Sequence, residues 1–105
     1  MLDQKFFKQA LLIRKTEDTF LDLFKQGKMN GTVHTSNGQE FSAVAFCNAL
    51  NRDDFIYSNH RCHGHYLAHT ADLYGLIAEL MGKETGTSGG IGSSQHLVNN
   101  YFFSN

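Results

Sequence analysis

The longest regular pattern in the sequence is an apolar stripe at helical spacing near its start. It consists of Phe6, Ala10, Ile13, Phe20 and Phe24. Steps of mostly three and four residues predict one amphipathic helix over residues 3–26, with Glu17 among the charged side chains on its solvent face and Gly27 as its left-handed cap. A helix of about 24 residues is about 36 Å long. We therefore expect it to pack against more protein than the remaining chain provides.

A second helix is predicted after a polar connection. Ser36 and Gln39 have the spacing of a capping box, and the apolar residues that follow predict a helix ending near Asn51. The short apolar run at residues 55–57 then predicts a strand.

The last third of the chain predicts one more helix and two irregular segments. Residues 72–81 are expected to be helical, with Asp72 as the N-cap and Gly82 as the stop. The glycine-rich segment 86–92 predicts a mobile loop with few preferred conformations. The aromatic segment 97–105 predicts a strand or loop that has been cut short.

Composition narrows the class of protein. The 105 residues suffice for one domain, and nine basic against ten acidic residues give a net charge of −1 without a basic stripe. Nucleic acid and anionic membranes are therefore poor partners. No apolar run approaches the roughly 20 residues of a membrane span, and the start lacks the order of a signal peptide. Two cysteines, Cys47 and Cys62, are expected to be reduced thiols of a cytoplasmic protein.

The densest chemical stretch is 57–65, which follows the predicted strand and contains three histidines, an arginine and a thiol. One interpretation is a zinc site, although no second cluster lies at a regular spacing. Its candidate ligands would be His60, Cys62, His63, His65 and His69. A second interpretation is an ordinary polar loop with partly exposed imidazoles.

A third interpretation, which the residues favour, is an anion site centred on Arg61. A guanidinium grips a phosphate with two parallel N–H groups, and imidazoles and backbone N–H groups can complete the site. Arg61 follows a strand, and α/β folds bind cofactors at the carboxyl edge of their sheets.

Residues 86–94 contain no lysine after the glycines and so do not form a nucleotide P-loop.

The order of these motifs resembles the N-terminal part of the alpha chain of thiamine-diphosphate-dependent 2-oxo acid dehydrogenases, the pyruvate and acetoin dehydrogenase group. The resemblance covers nearly all of the chain. The matching features, after the long first helix, are His34, Gly38-Gln39-Glu40, Asp54, His60–His65, Ala78–Gly82, Thr85-Gly86 and Ser94-Gln95-His96. It implies an α/β fold, of which residues 1–105 are an incomplete N-terminal part of the thiamine-diphosphate-binding domain, mostly helical.

The resemblance also implies roles for individual residues. Arg61 matches the arginine that holds the cofactor diphosphate, and His60 takes the neighbouring cofactor-binding place. His34 matches a catalytic histidine near the thiazolium and the substrate. His63 matches a second catalytic-site histidine of the same loop as Arg61.

The same resemblance implies cofactors and partners that these residues do not provide. It implies thiamine diphosphate with Mg²⁺, whose ligands are expected outside this sequence. It also implies a beta chain or C-terminal catalytic region, a lipoyl acyltransferase component, a small 2-oxo acid substrate and an oligomeric assembly. We expect the isolated chain to be inactive, and the alternative is a non-catalytic binding or assembly module derived from the family.

Two departures from the family pattern bear on partner docking and substrate. The family usually carries lysines where this chain has Gly89 and Ile91, and Gly-Gly-Ser where it has Gly92-Ser93-Ser94.

Overall fold

A computed structural model describes residues 4–29 and 31–104. In chain order its elements are α1 (Gln4–Lys25), α2 (Glu40–Asn48), β1 (Ile56–Ser58), α3 (His63–Thr70), α4 (Leu73–Leu80), β2 (Val98–Asn99) and β3 (Phe102–Ser104). The first three helices pack against one another, and α3 also contacts α4 and β3. Helix is thus the main regular structure of the described residues, as predicted, and a small mixed sheet accompanies it. None of its described helices is long and apolar enough to cross a membrane.

The first helix is confirmed, but its buried face is not wholly apolar. Ala10, Ile13 and Phe20 are buried, and so are Thr16 and Glu17. The expectation that Glu17 lies on the solvent face was wrong, because it follows Ile13 by four residues and precedes Phe20 by three. Spacing therefore located the inner face, while the charge of the side chain pointed to the wrong one.

Three predicted helix ends are confirmed. Gly27 adopts a φ of 73° after α1, and Gly82 adopts a φ of 70° just beyond α4. Both values lie in the left-handed region that glycine enters without a steric penalty. Asp72 caps α4, since its Oδ1 accepts a hydrogen bond of 3.0 Å from the N–H of Gly75.

The predicted capping box was wrong. The Ser36 hydroxyl donates to Glu17 Oε2 instead of capping a helix, and Gln39 makes no side-chain cap at the start of α2. The carboxylate of Glu40 takes over part of that role and accepts from the N–H of Gly38 at 3.1 Å. The hydrogen bond from Ser36 to Glu17 fastens the connection before α2 to α1.

Helix α3 is an element that the sequence pattern did not predict. Its apolar side chains are the adjacent residues Tyr66, Leu67 and Ala68, and a glycine lies in the first turn, which gives little helical periodicity. Gly64 lets α3 pack closely, because a Cβ there would lie 3.0 Å from Ser36 Oγ and 3.3 Å from Ala43 Cβ. Part of the stretch expected to be one loop is therefore a buried helix.

The sheet has the strand order β1-β3-β2, with β1 and β3 parallel and β2 antiparallel to β3. The first strand lies one residue later than predicted, and the aromatic segment supplies the other two. Ile56 and Phe102 face the core, where the ring of Phe102 meets that of Tyr66 edge to face at 5.2 Å. The carboxyl end of β1 leads directly into residues 59–62.

The glycine-rich segment is organised around the fully buried carboxylate of Glu79 in α4. Four backbone N–H groups donate to it, from Ser88, Gly90, Gly92 and Ser93. The prediction of a loop with few preferred conformations was wrong, because this buried anion selects one. The segment consequently delivers Ser94 into the protein interior.

Candidate functional site

Three of the four predicted site residues meet where the chain leaves β1. The rings of His34 and His60 lie edge to face with their centroids 5.3 Å apart. Arg61 Nη1 donates a hydrogen bond of 2.7 Å to the carbonyl oxygen of Thr35, and its backbone N–H donates to Asn59 Oδ1 at 2.9 Å. The segment beginning at His34 and the loop carrying His60 and Arg61 are therefore in direct contact.

The fourth residue, His63, lies in the core beside these three. Its ring has no exposed area, its Nδ1 is 2.6 Å from Glu17 Oε1, and its Nε2 is 3.0 Å from the carbonyl oxygen of Ser94. The edge of the Phe20 ring also packs against it, at 5.5 Å between centroids. His63 thus belongs to the structure supporting the site and does not reach its surface.

Ser94 joins the buried and the surface parts of the site. Its hydroxyl oxygen accepts the backbone N–H of His34 at 3.1 Å and lies 3.0 Å from His63 Nε2. Ser94 itself is fully buried, so its contact with His63 is shielded from water, while its contact with His34 is part-buried. The four predicted residues are therefore brought together, with Ser94 as the common neighbour of His34 and His63.

The exposed part of the site carries hydrogen-bond donors and a positive charge. Arg61 and His60 are exposed and His34 is partly exposed. Among the described residues, the Arg61 guanidinium forms one hydrogen bond and no ion pair. Its remaining N–H groups can therefore bind an oxyanion such as a phosphate, in the planar geometry that guanidinium favours.

Of the other candidate zinc ligands, His65 and His69 make contacts away from this site, whereas the Cys62 thiol donates a long hydrogen bond of 3.8 Å to the carbonyl oxygen of Ser94. His69 Nε2 donates to the Asp54 carbonyl oxygen at 2.8 Å, and His65 Nδ1 lies 2.9 Å from Ser58 Oγ, with its pKa lowered by burial. Burial raises the pKa of Cys62 to about 11. No three His, Cys, Asp or Glu side chains within the described residues could hold a metal ion together, which removes the geometric basis of a zinc site.

The sequence alone did not assign a role in this site to Glu17 or Ser94. Glu17 could have been found from its position between Ile13 and Phe20, if periodicity had been given more weight than charge. Ser94 was recognised within the Ser-Gln-His motif, but a lone serine after a glycine-rich segment gives no signal of burial.

Comparison with known proteins places the chain in a family. The family model described as "Dehydrogenase E1 component" matches residues 8–104. The chain therefore belongs to the dehydrogenase E1 component family, which confirms the resemblance seen in the sequence.

Individual relatives are alpha subunits. The chain is 44% identical over 92 residues to the alpha subunit of acetoin:2,6-dichlorophenolindophenol oxidoreductase of Bacillus subtilis, covering 88% of this chain and 28% of that protein. It is 38% identical over 93 residues to the mitochondrial pyruvate dehydrogenase E1 component subunit alpha of Kluyveromyces lactis, covering 89% of this chain and 23% of that protein. The pyruvate dehydrogenase E1 component subunit alpha of Rhizobium meliloti is 37% identical over 95 residues, covering 90% of this chain and 27% of that protein. The chain spans about a quarter of the length of the curated relatives it matches.

Proposed function

We propose that residues 1–105 are the N-terminal part of the thiamine-diphosphate-binding domain of an E1 alpha chain, in a dehydrogenase acting on a small 2-oxo acid or an acetoin-type substrate. Membership of the E1 family over residues 8–104 supports this proposal. The names of the relatives, which are pyruvate dehydrogenase and acetoin oxidoreductase alpha subunits, support the substrate class. The chain would act within the whole enzyme and be inactive alone.

The observation that carries the proposal is the position of Arg61. Its guanidinium is exposed, follows the carboxyl end of a strand in a parallel pair, and is oriented by the Thr35 carbonyl oxygen. Cofactors of α/β folds bind outside the carboxyl ends of strands, and arginine binds phosphate through paired N–H groups. The residues present therefore fit the diphosphate group of thiamine diphosphate.

The neighbouring histidines would take the remaining roles. His60 would bind the cofactor beside Arg61, and His34 would stabilise charge or move a proton at the reacting centre. His63, which has no exposed area, would act from behind them through Ser94. When bound, thiamine diphosphate supplies the carbanion chemistry that cleaves a bond next to a carbonyl.

Other components would come from outside these residues. Mg²⁺ would accompany the diphosphate, with ligands beyond the described residues, in which no group of three suitable side chains could hold a metal ion. A beta chain, a lipoyl acyltransferase component and an oligomeric assembly are proposed as partners, and the cytoplasm as the location. Exposed apolar side chains on α1 support association, namely Phe7, Leu11, Leu12, Leu21 and Phe24.

Substitution of Arg61 tests this proposal in the assembled alpha–beta enzyme. Arg61→Ala removes the charge-assisted hydrogen bonds to the diphosphate, worth about 2–3 kcal/mol together. The Kd for thiamine diphosphate, measured by calorimetry in the presence of Mg²⁺, should rise about 30- to 150-fold.

Arg52→Ala is the matched control, because Arg52 is also exposed and lies before β1, at the opposite end of the strand. It should leave the Kd unchanged. Equal affinity of the Arg61→Ala variant and the unaltered enzyme would refute the assignment of Arg61. Absence of cofactor binding by the unaltered assembly would favour the non-catalytic module.

A further inference from the structure

Glu17 places a buried carboxylate between two elements of the candidate site. Its side chain has no exposed area. One oxygen, Oε2, accepts hydrogen bonds from the backbone N–H and the hydroxyl of Ser36, at 2.6 and 3.1 Å. The other oxygen, Oε1, lies 2.6 Å from His63 Nδ1. A single side chain of α1 thus holds both the segment that follows His34 and the first residue of α3.

The contacts of His63 determine where its protons lie. The carbonyl oxygen and the hydroxyl of Ser94 both lie 3.0 Å from His63 Nε2. The carbonyl oxygen can only accept a hydrogen bond, whereas the hydroxyl can donate or accept, so Nε2 is satisfied with or without a hydrogen of its own. Nδ1 faces Glu17, and the state of that carboxyl group decides whether Nδ1 carries a proton.

The surroundings of Glu17 favour a proton on Nδ1. Both hydrogen bonds from Ser36 go to the carboxylate as an acceptor, which suits its ionised form. Buried charges in proteins are paired, and Glu17 is the acidic side chain that contacts His63 among the described residues. A negatively charged Glu17 can only accept, so His63 Nδ1 must donate to it.

We propose that Glu17 is a positioning residue of the candidate site, which keeps the Nδ1 of His63 protonated and fixes the segment 34–36 against the start of α3. The expected effect on catalysis rests on the proposed function. The protonation of Nδ1 and the fixing of segment 34–36 do not depend on it. Through Ser36, Glu17 sets the neighbouring carbonyl oxygen of Thr35, which orients Arg61. Through His63, it sets Ser94, which holds the backbone of His34.

Glu17 acts through these neighbours because it cannot meet a ligand itself. With no exposed area, its carboxylate is separated from the surface by Ser36 and His63. Loss of its charge should therefore change the protonation of a ring and the placement of His34 without removing a group that touches the cofactor.

The matched pair of variants is Glu17→Gln and Asp18→Asn. Glutamine has the same shape as glutamate. Because the backbone N–H of Ser36 needs an acceptor, the glutamine oxygen would face Ser36 and its NH₂ group would donate to His63 Nδ1, so that Nδ1 carries no proton. Asp18 is the adjacent acidic residue and also bonds the following segment, through the side-chain amide of Asn37 at 2.9 Å, but this contact is exposed. The two variants separate the buried carboxylate from acidic side chains in general.

Nitrogen-15 NMR of the histidine rings in the chain reads the protonation state directly, with His63→Gln assigning the signal. We expect a protonated Nδ1 in the unaltered chain and in Asp18→Asn, and an unprotonated Nδ1 in Glu17→Gln. An unprotonated Nδ1 in the unaltered chain, or no change in Glu17→Gln, overturns the proposal. If Glu17→Gln does not fold, as judged by circular dichroism, the state of Nδ1 in the unaltered chain decides alone.

Kinetics of the assembled enzyme give the second readout. Displacement of His34 by about 1 Å should lower kcat of Glu17→Gln by about 10- to 100-fold. The Kd for thiamine diphosphate should rise far less than in Arg61→Ala, since the guanidinium remains. An unchanged kcat overturns the positioning role, whereas failure of the unaltered enzyme to bind cofactor overturns the proposed function and leaves the NMR result standing.

Discussion

Replacement of Glu79 by glutamine should release the glycine-rich segment from the protein interior. Glu79 Oε1 accepts hydrogen bonds from the N–H groups of Ser88 and Gly90, at 2.5 and 3.1 Å. Its Oε2 accepts from Gly92 and Ser93, at 2.7 and 3.0 Å. Glutamine offers one oxygen and one amide nitrogen, so two of the four backbone donors would face another donor.

The cost follows from these contacts. A hydrogen bond to a charged group contributes about 1.5–3 kcal/mol, and a buried donor left without a partner is penalised further. Two lost bonds, partly offset by relaxation of the segment, give a loss of about 3–5 kcal/mol in the free energy of unfolding. The close packing of the segment limits that relaxation, because a Cβ on Gly86 would lie 2.5 Å from the Cα of Glu79.

Two measurements check this prediction. Urea denaturation gives the change in the free energy of unfolding, and hydrogen exchange reports the protection of the Gly92 and Ser93 amides. Glu84→Gln is the control, since Glu84 is an exposed glutamate close in sequence, and it should change neither quantity. A loss in Glu79→Gln below about 1 kcal/mol with unchanged amide protection would refute the reasoning.

Two further predictions concern titrating groups. The hydrogen bond from Arg14 lowers the pKa of Glu40 from 4.5 to about 2, so Glu40 stabilises the fold above about pH 4.5 and that contribution is lost as the pH falls towards 2. Because the Arg14 side chain is 48% exposed, we expect ionised Glu40 to contribute about 1 kcal/mol to the free energy of unfolding. Urea denaturation of the unaltered chain and of Glu40→Gln at pH 6 and at pH 2.5 measures this contribution. An equal difference between the two proteins at both pH values would contradict the prediction. Burial raises the pKa of Cys47 and of Cys62 to about 11, so at pH 8 about one thiol in a thousand is ionised. Alkylation by iodoacetamide should be slow until urea unfolds the chain, and rapid labelling of the folded chain would contradict this.

The elements that the sequence predicted well are those with strong local signals. Helix α1 has a long stripe at helical spacing. Helix α4 follows its N-cap Asp72 and ends shortly before Gly82, and the chemistry of both residues favours helix ends. Helix α3 has neither, and it forms because Tyr66 and Leu67 fit the core against α2 and the sheet. Tertiary packing, which a local pattern does not contain, decides such an element.

The site shows the same division. The position of Arg61 after a strand was predictable from the apolar run before it, and His34 and His60 were recognisable from the order of motifs. The buried carboxylates of Glu17 and Glu79 were not predicted, because charged side chains are expected at the surface unless their partners are known. The spacing of Glu17 indicated a buried position, but it did not indicate what the carboxylate binds. Those partners are a ring some 46 residues away in one case and loop backbone N–H groups in the other. Neither set of partners can be recognised from the residues next to the glutamate in the sequence.

The parallel pairing of β1 with β3 has a consequence for the order of folding. Ile56 pairs with Phe102 about 45 residues later, and closing a loop of that length costs about 3 kcal/mol in chain entropy. A pairing of three residues cannot offset much of that cost, so the helices must bring the strands together before the ladder forms. We therefore expect the sheet to be the last part to form, both in refolding and during synthesis on the ribosome. Arg61, which follows β1, would acquire its final orientation only in that last step.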